Sequence, residues 1–161
     1  MSRGSRCSQN PESMDNVTKA QRSRIMAQVR GALNKSTELV LIRLLREHSI
    51  HGWRRNFPLR GHPDLVFPKA RLAVFLDGCF WHGCPLHCRM PTDNHAYWEQ
   101  KIFGNVTRDR QVSWDLKQSG WSVIRFWEHD MKGGRAFTSK MNKLKRIVQD
   151  DKSSVRGKPR H

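Results

Sequence analysis

The spacing of apolar and polar positions divides the chain into alternating helical and extended segments. Apolar residues at helical spacing predict a first helix from Thr18 to Arg30 and a second from Ser36 or Thr37 to about His48. Short apolar runs that end at turn residues predict four strands, at Trp53–Phe57, Leu65–Phe67, Leu72–Leu76 and Trp121–Trp127. Three more helices are predicted at His95–Phe103, Asn105–Gln118 and Phe137–Gln149, with Gly104 separating the first two.

This order of elements predicts an α/β fold with a mixed central sheet and helices on its faces. The chain has 161 residues, which is enough for one domain with its own core but not for two ordinary ones. Polar segments at 1–17 and 151–161 predict flexible basic tails, so the domain is expected to span 18–150.

The net charge of +16, from 30 Lys and Arg against 14 Asp and Glu, indicates a polyanionic partner such as nucleic acid. A basic scaffold protein is the alternative, but six Trp and seven Phe favour a protein that stacks on bases. The sequence contains no apolar run long enough for a membrane span and no secretory signal. A cytoplasmic protein is therefore expected.

Two aspartates are expected to meet at one end of the central strands. Asp64 opens one strand and Asp77 closes the next, with a Pro-Lys-Ala-Arg turn between them. If these strands pair as a hairpin, both carboxylates lie at its open end, where they could bind Mg²⁺ for phosphodiester hydrolysis. The alternative is that each aspartate only shapes a turn. The histidine five residues later favours the metal site.

The loop after Asp77 concentrates metal ligands. Cys79, Cys84 and either His87 or Cys88 are typical of a structural Zn²⁺ site, and His129 is the candidate fourth ligand because a neighbouring strand would bring it to the loop. Buried cysteines without a metal are the alternative. His82 fits this tetrahedron poorly and is predicted to act as a base near neutral pH.

Five motifs together resemble one enzyme family. They are Pro63-Asp64-Leu-Val, Phe75-Leu-Asp-Gly-Cys-Phe-Trp-His82, Tyr97-Trp98, Asn105-x2-Arg108-Asp109-Arg110 and Gly120-Trp-x5-Trp127-Glu128. Their order and spacing resemble those of the very short patch repair (Vsr) endonucleases, over about residues 18–148. The resemblance implies a restriction-endonuclease-like fold with a structural zinc. It also implies Mg²⁺-dependent nicking of double-stranded DNA on the 5′ side of the thymine in a T:G mismatch left by deamination of 5-methylcytosine, and a MutL-type partner.

The resemblance also implies residue roles. Asp64 would be the principal Mg²⁺ ligand, His82 the general base, Glu38 an acidic helper, and Asp109 a group that holds the histidine or water. Three aromatic residues would insert beside the mismatch, where a wobble pair is easier to open than a matched pair: Phe80, Trp81 and Trp98. The four other tryptophans are expected in the core: Trp53, Trp114, Trp121 and Trp127.

The chain also departs from the family pattern. The best-known member has a Thr-His pair where this chain has Leu76-Asp77, and a cysteine where this chain has His129. The added Asp77 resembles the carboxylate pair of restriction nucleases. Two other functions are therefore weighed: a restriction-type nuclease that cuts matched DNA, and a noncatalytic zinc-containing DNA-binding protein. A monomer of this size more easily makes a single nick, which favours the mismatch endonuclease.

Overall fold

Three strands form the sheet in the part of the chain that the structure describes. The structure is a computed structural model that describes residue 24 and residues 37–156, with side chains through residue 150. The strands are β1 (Leu65–Phe67), β2 (Leu72–Asp77) and β3 (Ser122–Trp127). β2 lies in the middle, antiparallel to β1 and parallel to β3. The predicted mixed sheet is thus present.

Helices cover both faces of this sheet. The first, α1, is helical over 37–47 within the described residues. The long helix α2 (His95–Gln118) connects β2 to β3, and α3 (Arg135–Arg156) follows a 3-10 helix at Glu128–Lys132. Because both faces are covered, every residue of β1 and β2 is buried.

The two faces of the sheet carry different cores. On one face, apolar residues of α1 and α3 pack against Val74, Leu76 and Phe126. On the other face, Leu116 of α2 packs with Ala73 and Phe75. Side chains alternate between faces along a strand, so Asp77 and Arg125 lie on the α2 side together with Phe75. The candidate site therefore forms between the sheet and α2.

Two of the predictions about these elements are wrong. The segment 53–57 forms no strand and pairs only through an isolated bridge between Arg54 and Val66. The helices predicted on either side of Gly104 are one continuous helix, α2. Glycine in a helix interior costs only about 1 kcal/mol, and the buried side chains of Ile102 and Asn105 hold the helix against its neighbours on both sides of that position.

The chain ends differ in how far the structure reaches them. Helix α3 begins two residues before the predicted Phe137 and continues to Arg156, through the first six residues of the predicted C-terminal tail. The predicted helix Thr18–Arg30 and the N-terminal tail lie outside the described residues, apart from residue 24, which is helical. Within the described part, no helix combines the length and apolarity needed to cross a bilayer.

Candidate active site and metal centre

The loop that follows β2 is held against α2. The buried Asn105 side chain donates a hydrogen bond of 2.9 Å to the carbonyl oxygen of Trp81. Gly83 has a φ of +64°, and a Cβ there would lie 2.9 Å from Cγ2 of Val106. Only glycine combines this backbone conformation with so close an approach. These contacts fix the loop that carries His82.

His82 and Asp109 form a close pair. Nδ1 of His82 lies 2.5 Å from Oδ2 of Asp109 and 3.6 Å from Oδ1 of Asp77. Burial alone would raise the pKa of Asp109, but the hydrogen bond with His82 and the positive charge of Arg125 outweigh it and lower that pKa. An ionised Asp109 can hold a proton on Nδ1, which leaves Nε2 as the basic nitrogen. The structure thus brings Asp109 together with His82, the residue that the resemblance implied it would hold.

Arg125 is a site residue that the sequence reasoning missed. Its Nε and Nη2 donate to the two carboxylate oxygens of Asp77, at 2.6 and 2.7 Å, and Nη2 lies 3.3 Å from Oδ1 of Asp109. Burial would lower the pKa of Arg125, but the contacts with Asp77 and Asp109 dominate and raise it. A signal was present in the sequence, because a single arginine inside an apolar strand usually needs a carboxylate partner.

Asp64 lies at the start of β1 and faces the end of β2. Its Oδ2 accepts a hydrogen bond of 2.7 Å from the backbone amide of Leu76. Burial and, to a smaller extent, the negative charges of Glu38 and Asp77 outweigh that hydrogen bond and together raise the pKa of Asp64 to about 6. Glu38 itself is paired through both oxygens with Arg55, at 2.5 and 3.1 Å. A half-buried carboxyl among other acids is well placed to bind a divalent cation.

The two predicted Mg²⁺ ligands have different surroundings. Asp77, His82 and Asp109 each offer an atom within 4.8 Å of the others, and Asp64 is not part of this group. Asp64 nevertheless lies close enough for the charge of Asp77 to raise its pKa. Both oxygens of Asp77 are occupied by Arg125. Asp64 is therefore a better candidate than Asp77 for the ligand of a divalent cation.

A second cluster contains four soft ligands. Cys79, Cys84, His87 and His129 place their ligand atoms within 4.8 Å of one another. Nδ1 of His129 lies 3.2 Å from Sγ of Cys79 and 3.7 Å from Sγ of Cys84, and Nδ1 of His87 lies 3.6 Å from Sγ of Cys84. Tetrahedral Zn²⁺ separates a sulfur and a nitrogen ligand by about 3.5 Å. The donor set and its spacing thus fit zinc.

Cys88, the alternative to His87, lies outside this cluster. Its thiol points to the carbonyl oxygen of Phe80 at 3.5 Å. His129 is held in place by stacking on Trp127, with ring centroids 6.2 Å apart and planes inclined by 12°. The neighbouring Glu128 accepts a hydrogen bond of 3.3 Å from the amide of Cys79. The segment after β3 therefore supports the cysteine loop, as the sequence predicted for His129.

Two aromatic residues of the loop, Phe80 and Trp81, pack into one cluster with Trp98 of α2. The ring of Phe80 lies 5.1 Å from that of Trp81 and 5.3 Å from that of Trp98, centroid to centroid. Trp81 and Trp98 are both buried, with 9% of each residue exposed, whereas Phe80 is half-buried. The expected core position of Trp114 is wrong, because that residue is 58% exposed on α2.

The arrangement joins the parts that a phosphodiesterase needs. The half-buried carboxyl of Asp64 can bind a divalent cation, and a histidine oriented by a carboxylate can accept a proton from water. The aromatic cluster adjoins them along the chain. The soft-ligand cluster lies in the same loop and can fix its conformation.

Known proteins with similar sequences were compared with the chain. A family model described as DNA mismatch endonuclease Vsr matches residues 14–89. A protein of Lentzea aerocolonigenes, the Type II nicking enzyme V.NaeI, is 49% identical over 86 residues, which are 50% of this chain and 52% of that protein. The chain thus matches about half the length of that relative.

Two other relatives match over more of their length. The Type II nicking enzyme V.NmeDIP of Neisseria meningitidis serogroup C is 35% identical over 73% of this chain and 80% of its own. The DNA mismatch endonuclease Vsr of Escherichia coli (strain K12) is 32% identical over 77% of this chain and 78% of its own.

Proposed function

We propose that this chain, which belongs to the DNA mismatch endonuclease Vsr family, nicks one strand of double-stranded DNA on the 5′ side of the thymine in a T:G mismatch. Such a nick would initiate very short patch repair of deaminated 5-methylcytosine. The chain is a DNA endonuclease, an enzyme that hydrolyses phosphodiester bonds. Family membership removes the noncatalytic alternative.

The observation that carries the proposal is the pair of His82 and Asp109 next to Asp77, whose negative charge also raises the pKa of the half-buried Asp64. Asp109 lies 2.5 Å from Nδ1 of His82, so Nε2 is left to take the proton of a water molecule. The oxygen of that water forms a bond to phosphorus while the bond from phosphorus to the leaving sugar oxygen breaks, and this sugar oxygen takes up a proton from solvent to become a hydroxyl. The proton lost by the water ends on Nε2 of His82.

Mg²⁺ is the proposed catalytic cofactor. The acidic surroundings of Asp64, with Glu38 and Asp77 nearby, fit a hard divalent cation. Asp64 would be its principal ligand. The sequence suggested Asp77 as a second ligand, but both of its oxygens accept hydrogen bonds from Arg125. When bound, Mg²⁺ stabilises the negative charge that develops on the phosphate. Glu38 would contribute negative charge near the cation.

Zn²⁺ is proposed as a structural ion held by Cys79, Cys84, His87 and His129. Their mutual distances support this assignment. The loop they would close contains little secondary structure, so a metal would fix the part of the chain that carries His82. A restriction-endonuclease-like fold is part of the proposal, supported by the mixed sheet and by the carboxylate at the start of β1.

Mismatch recognition is assigned to the aromatic cluster of Phe80, Trp81 and Trp98. Phe80 is the most accessible of the three and lies in the same loop as His82, two residues before it. An apolar ring that enters a base step has to separate stacked bases, and this costs least where a T:G wobble pair stacks poorly. On the resemblance alone, we also propose that the protein acts as a monomer and that a MutL-type protein acts after it in the repair.

Nicking of labelled duplexes tests this function. Each strand of a T:G duplex and of a matched T:A duplex carries a different fluorophore, and products are separated on denaturing gels with and without Mg²⁺. We expect one nick, in the thymine strand of the T:G duplex, only with Mg²⁺. Cleavage of both strands of matched DNA would instead support the restriction-type alternative.

A pair of variants tests the role of Asp64. Asp64→Asn should abolish nicking while leaving binding of the T:G duplex intact. Asp93→Asn, which removes the same charge from an exposed loop position, should nick at the rate of the unmodified protein. Equal nicking by Asp64→Asn and Asp93→Asn would contradict the assignment of the cation to Asp64.

A further inference from the structure

Arg125 connects two carboxylates that approach the same histidine nitrogen. It contacts both oxygens of Asp77 and one oxygen of Asp109, and these two side chains lie 3.6 and 2.5 Å from Nδ1 of His82. A second set of contacts reaches α2, where Nη1 lies 3.4 Å from the carbonyl of Asp109 and 3.3 Å from Oγ of Ser113. The guanidinium thus joins β2, β3 and α2.

The sheet fixes the position of this arginine. Arg125 is the register partner of Phe75 in the parallel pair of β2 and β3, and its guanidinium carbon lies 4.6 Å from the centre of the Phe75 ring. Only 23% of the Arg125 side chain and 5% of the Asp77 side chain are exposed. A planar guanidinium bound through two nitrogens has little freedom to turn, so it orients both carboxylates.

The charges explain why one arginine serves two acids. Asp77 and Asp109 would bring two negative charges next to His82, and like charges at such short range repel. Arg125 supplies a positive charge to both. It also donates to both oxygens of Asp77, so a cation on Asp77 would have to share these oxygens with a guanidinium whose positive charge repels it.

We propose that Arg125 is a positioning residue that aligns Asp77 and Asp109 on Nδ1 of His82. Asp77 then acts mainly through this assembly rather than as a metal ligand. The aligned carboxylates keep the proton on Nδ1 and direct Nε2 towards the water. The inference rests on the proposed role of His82 as general base.

Kinetics of Arg125→Lys and Arg125→Met test the inference. Arg43→Met is the matched control, because Arg43 is an exposed arginine that forms an ion pair of 3.6 Å with Glu47 of the same helix. Zinc content and thermal unfolding identify variants that remain folded. For those, the dissociation constant for the T:G duplex and the single-turnover nicking rate at saturating DNA are measured separately.

We expect Arg125→Lys to keep the dissociation constant within about threefold and to lower the nicking rate by about 100-fold, at the lower end of what a positioned general base contributes. The double variant Asp77→Asn/Arg125→Met should nick faster than Arg125→Met, because it removes one of the two unpaired charges. Arg43→Met should leave the nicking rate unchanged. Equal loss of DNA binding and nicking in Arg125→Lys would overturn the inference.

A spectroscopic readout separates this inference from the proposed function. In ¹⁵N-histidine NMR spectra, assigned with His82→Gln, the proton on Nδ1 of His82 should give a single downfield signal. Arg125→Lys should lose or broaden that signal, and Arg43→Met should keep it. If the unmodified protein does not nick T:G duplexes, the proposed function fails while this test still stands. An unchanged signal in a folded Arg125→Lys protein would overturn the positioning role.

Discussion

Asp64 accepts a hydrogen bond of 2.7 Å from the backbone amide of Leu76, which ties the first carboxylate of the site to the end of the central strand. The bond favours the ionised form of Asp64, but burial and the charges of Glu38 and Asp77 outweigh it and raise the pKa to about 6. In the absence of Mg²⁺ the site therefore holds a carboxyl that is costly to ionise.

This pKa predicts how stability depends on pH without Mg²⁺. The unfolded chain has an Asp pKa of about 3.9, so between about pH 4 and 6 the folded state binds more protons and the free energy of unfolding falls as pH rises. The full fall is roughly 3 kcal/mol, of which about 1.5 kcal/mol lies between pH 5 and 8. Asp64→Asn should remove it and be the more stable protein at pH 8.

Urea unfolding in Mg²⁺-free buffer from pH 5 to 8 measures this difference. Asp93→Asn is the control, because it replaces an exposed aspartate. Its unfolding free energy should follow that of the unmodified protein. If the unfolding free energies of Asp64→Asn and the unmodified protein changed in parallel with pH, the raised pKa of Asp64 would be contradicted.

If the soft-ligand cluster binds zinc, the substitution of His87 should destabilise the protein far more than its exposed position suggests. His87 is exposed, and removal of an ordinary exposed side chain changes stability by about 0.5 kcal/mol or less. As a zinc ligand, His87→Ala should instead lose bound zinc and several kcal/mol of stability, because metal binding contributes directly to folding. Metal analysis of the purified protein and thermal unfolding measure both effects.

Cys88→Ser is the matched control in the same loop. The Cys88 thiol contacts the carbonyl of Phe80 and lies outside the cluster. The variant should therefore keep one zinc ion per chain. Loss of zinc from Cys88→Ser and retention by His87→Ala would reverse the assignment.

Removal of the hydrogen bond between Asn105 and the Trp81 carbonyl should lower the stability of the protein. Its side chain is buried and donates to the carbonyl of Trp81 at 2.9 Å, and its Oδ1 accepts from Arg108 at 3.1 Å. Asn105→Leu would leave the Trp81 carbonyl without this donor, at a cost of about 1–3 kcal/mol. Chemical denaturation measures the change.

Gln111→Ala provides the comparison on the same helix. Gln111 donates to Asp115 at an exposed i, i+4 position, where such pairs contribute about 0.2–0.5 kcal/mol. A loss in Asn105→Leu no larger than that in Gln111→Ala would mean that the loop does not depend on this bond.

The sequence predicted elements whose signals are local. Strands β1, β2 and β3 follow apolar runs, and the ligands of the 79–88 loop are close in the chain. Arg125 was missed because its partner Asp77 is 48 residues away, and only the register of β2 and β3 brings them together. The segment 53–57 has strand composition, but Asn56 has a φ of +50° and only Arg54 pairs with the sheet. Gly104 was given too much weight, since packing outweighs its low helix propensity.

Truncation of two tryptophans of α2 should lower stability to very different extents. Trp98 is buried against Phe80 and Trp81, whereas Trp114 is 58% exposed. Large-to-small changes in a core cost about 3–5 kcal/mol for Trp, because the neighbours only partly fill the cavity. Trp98→Ala should therefore destabilise the protein by about that amount, and Trp114→Ala by about 0.5 kcal/mol or less. Urea unfolding of the two variants under identical conditions measures both values. Equal losses of unfolding free energy in the two variants would contradict the tight packing of Trp98 against Phe80 and Trp81.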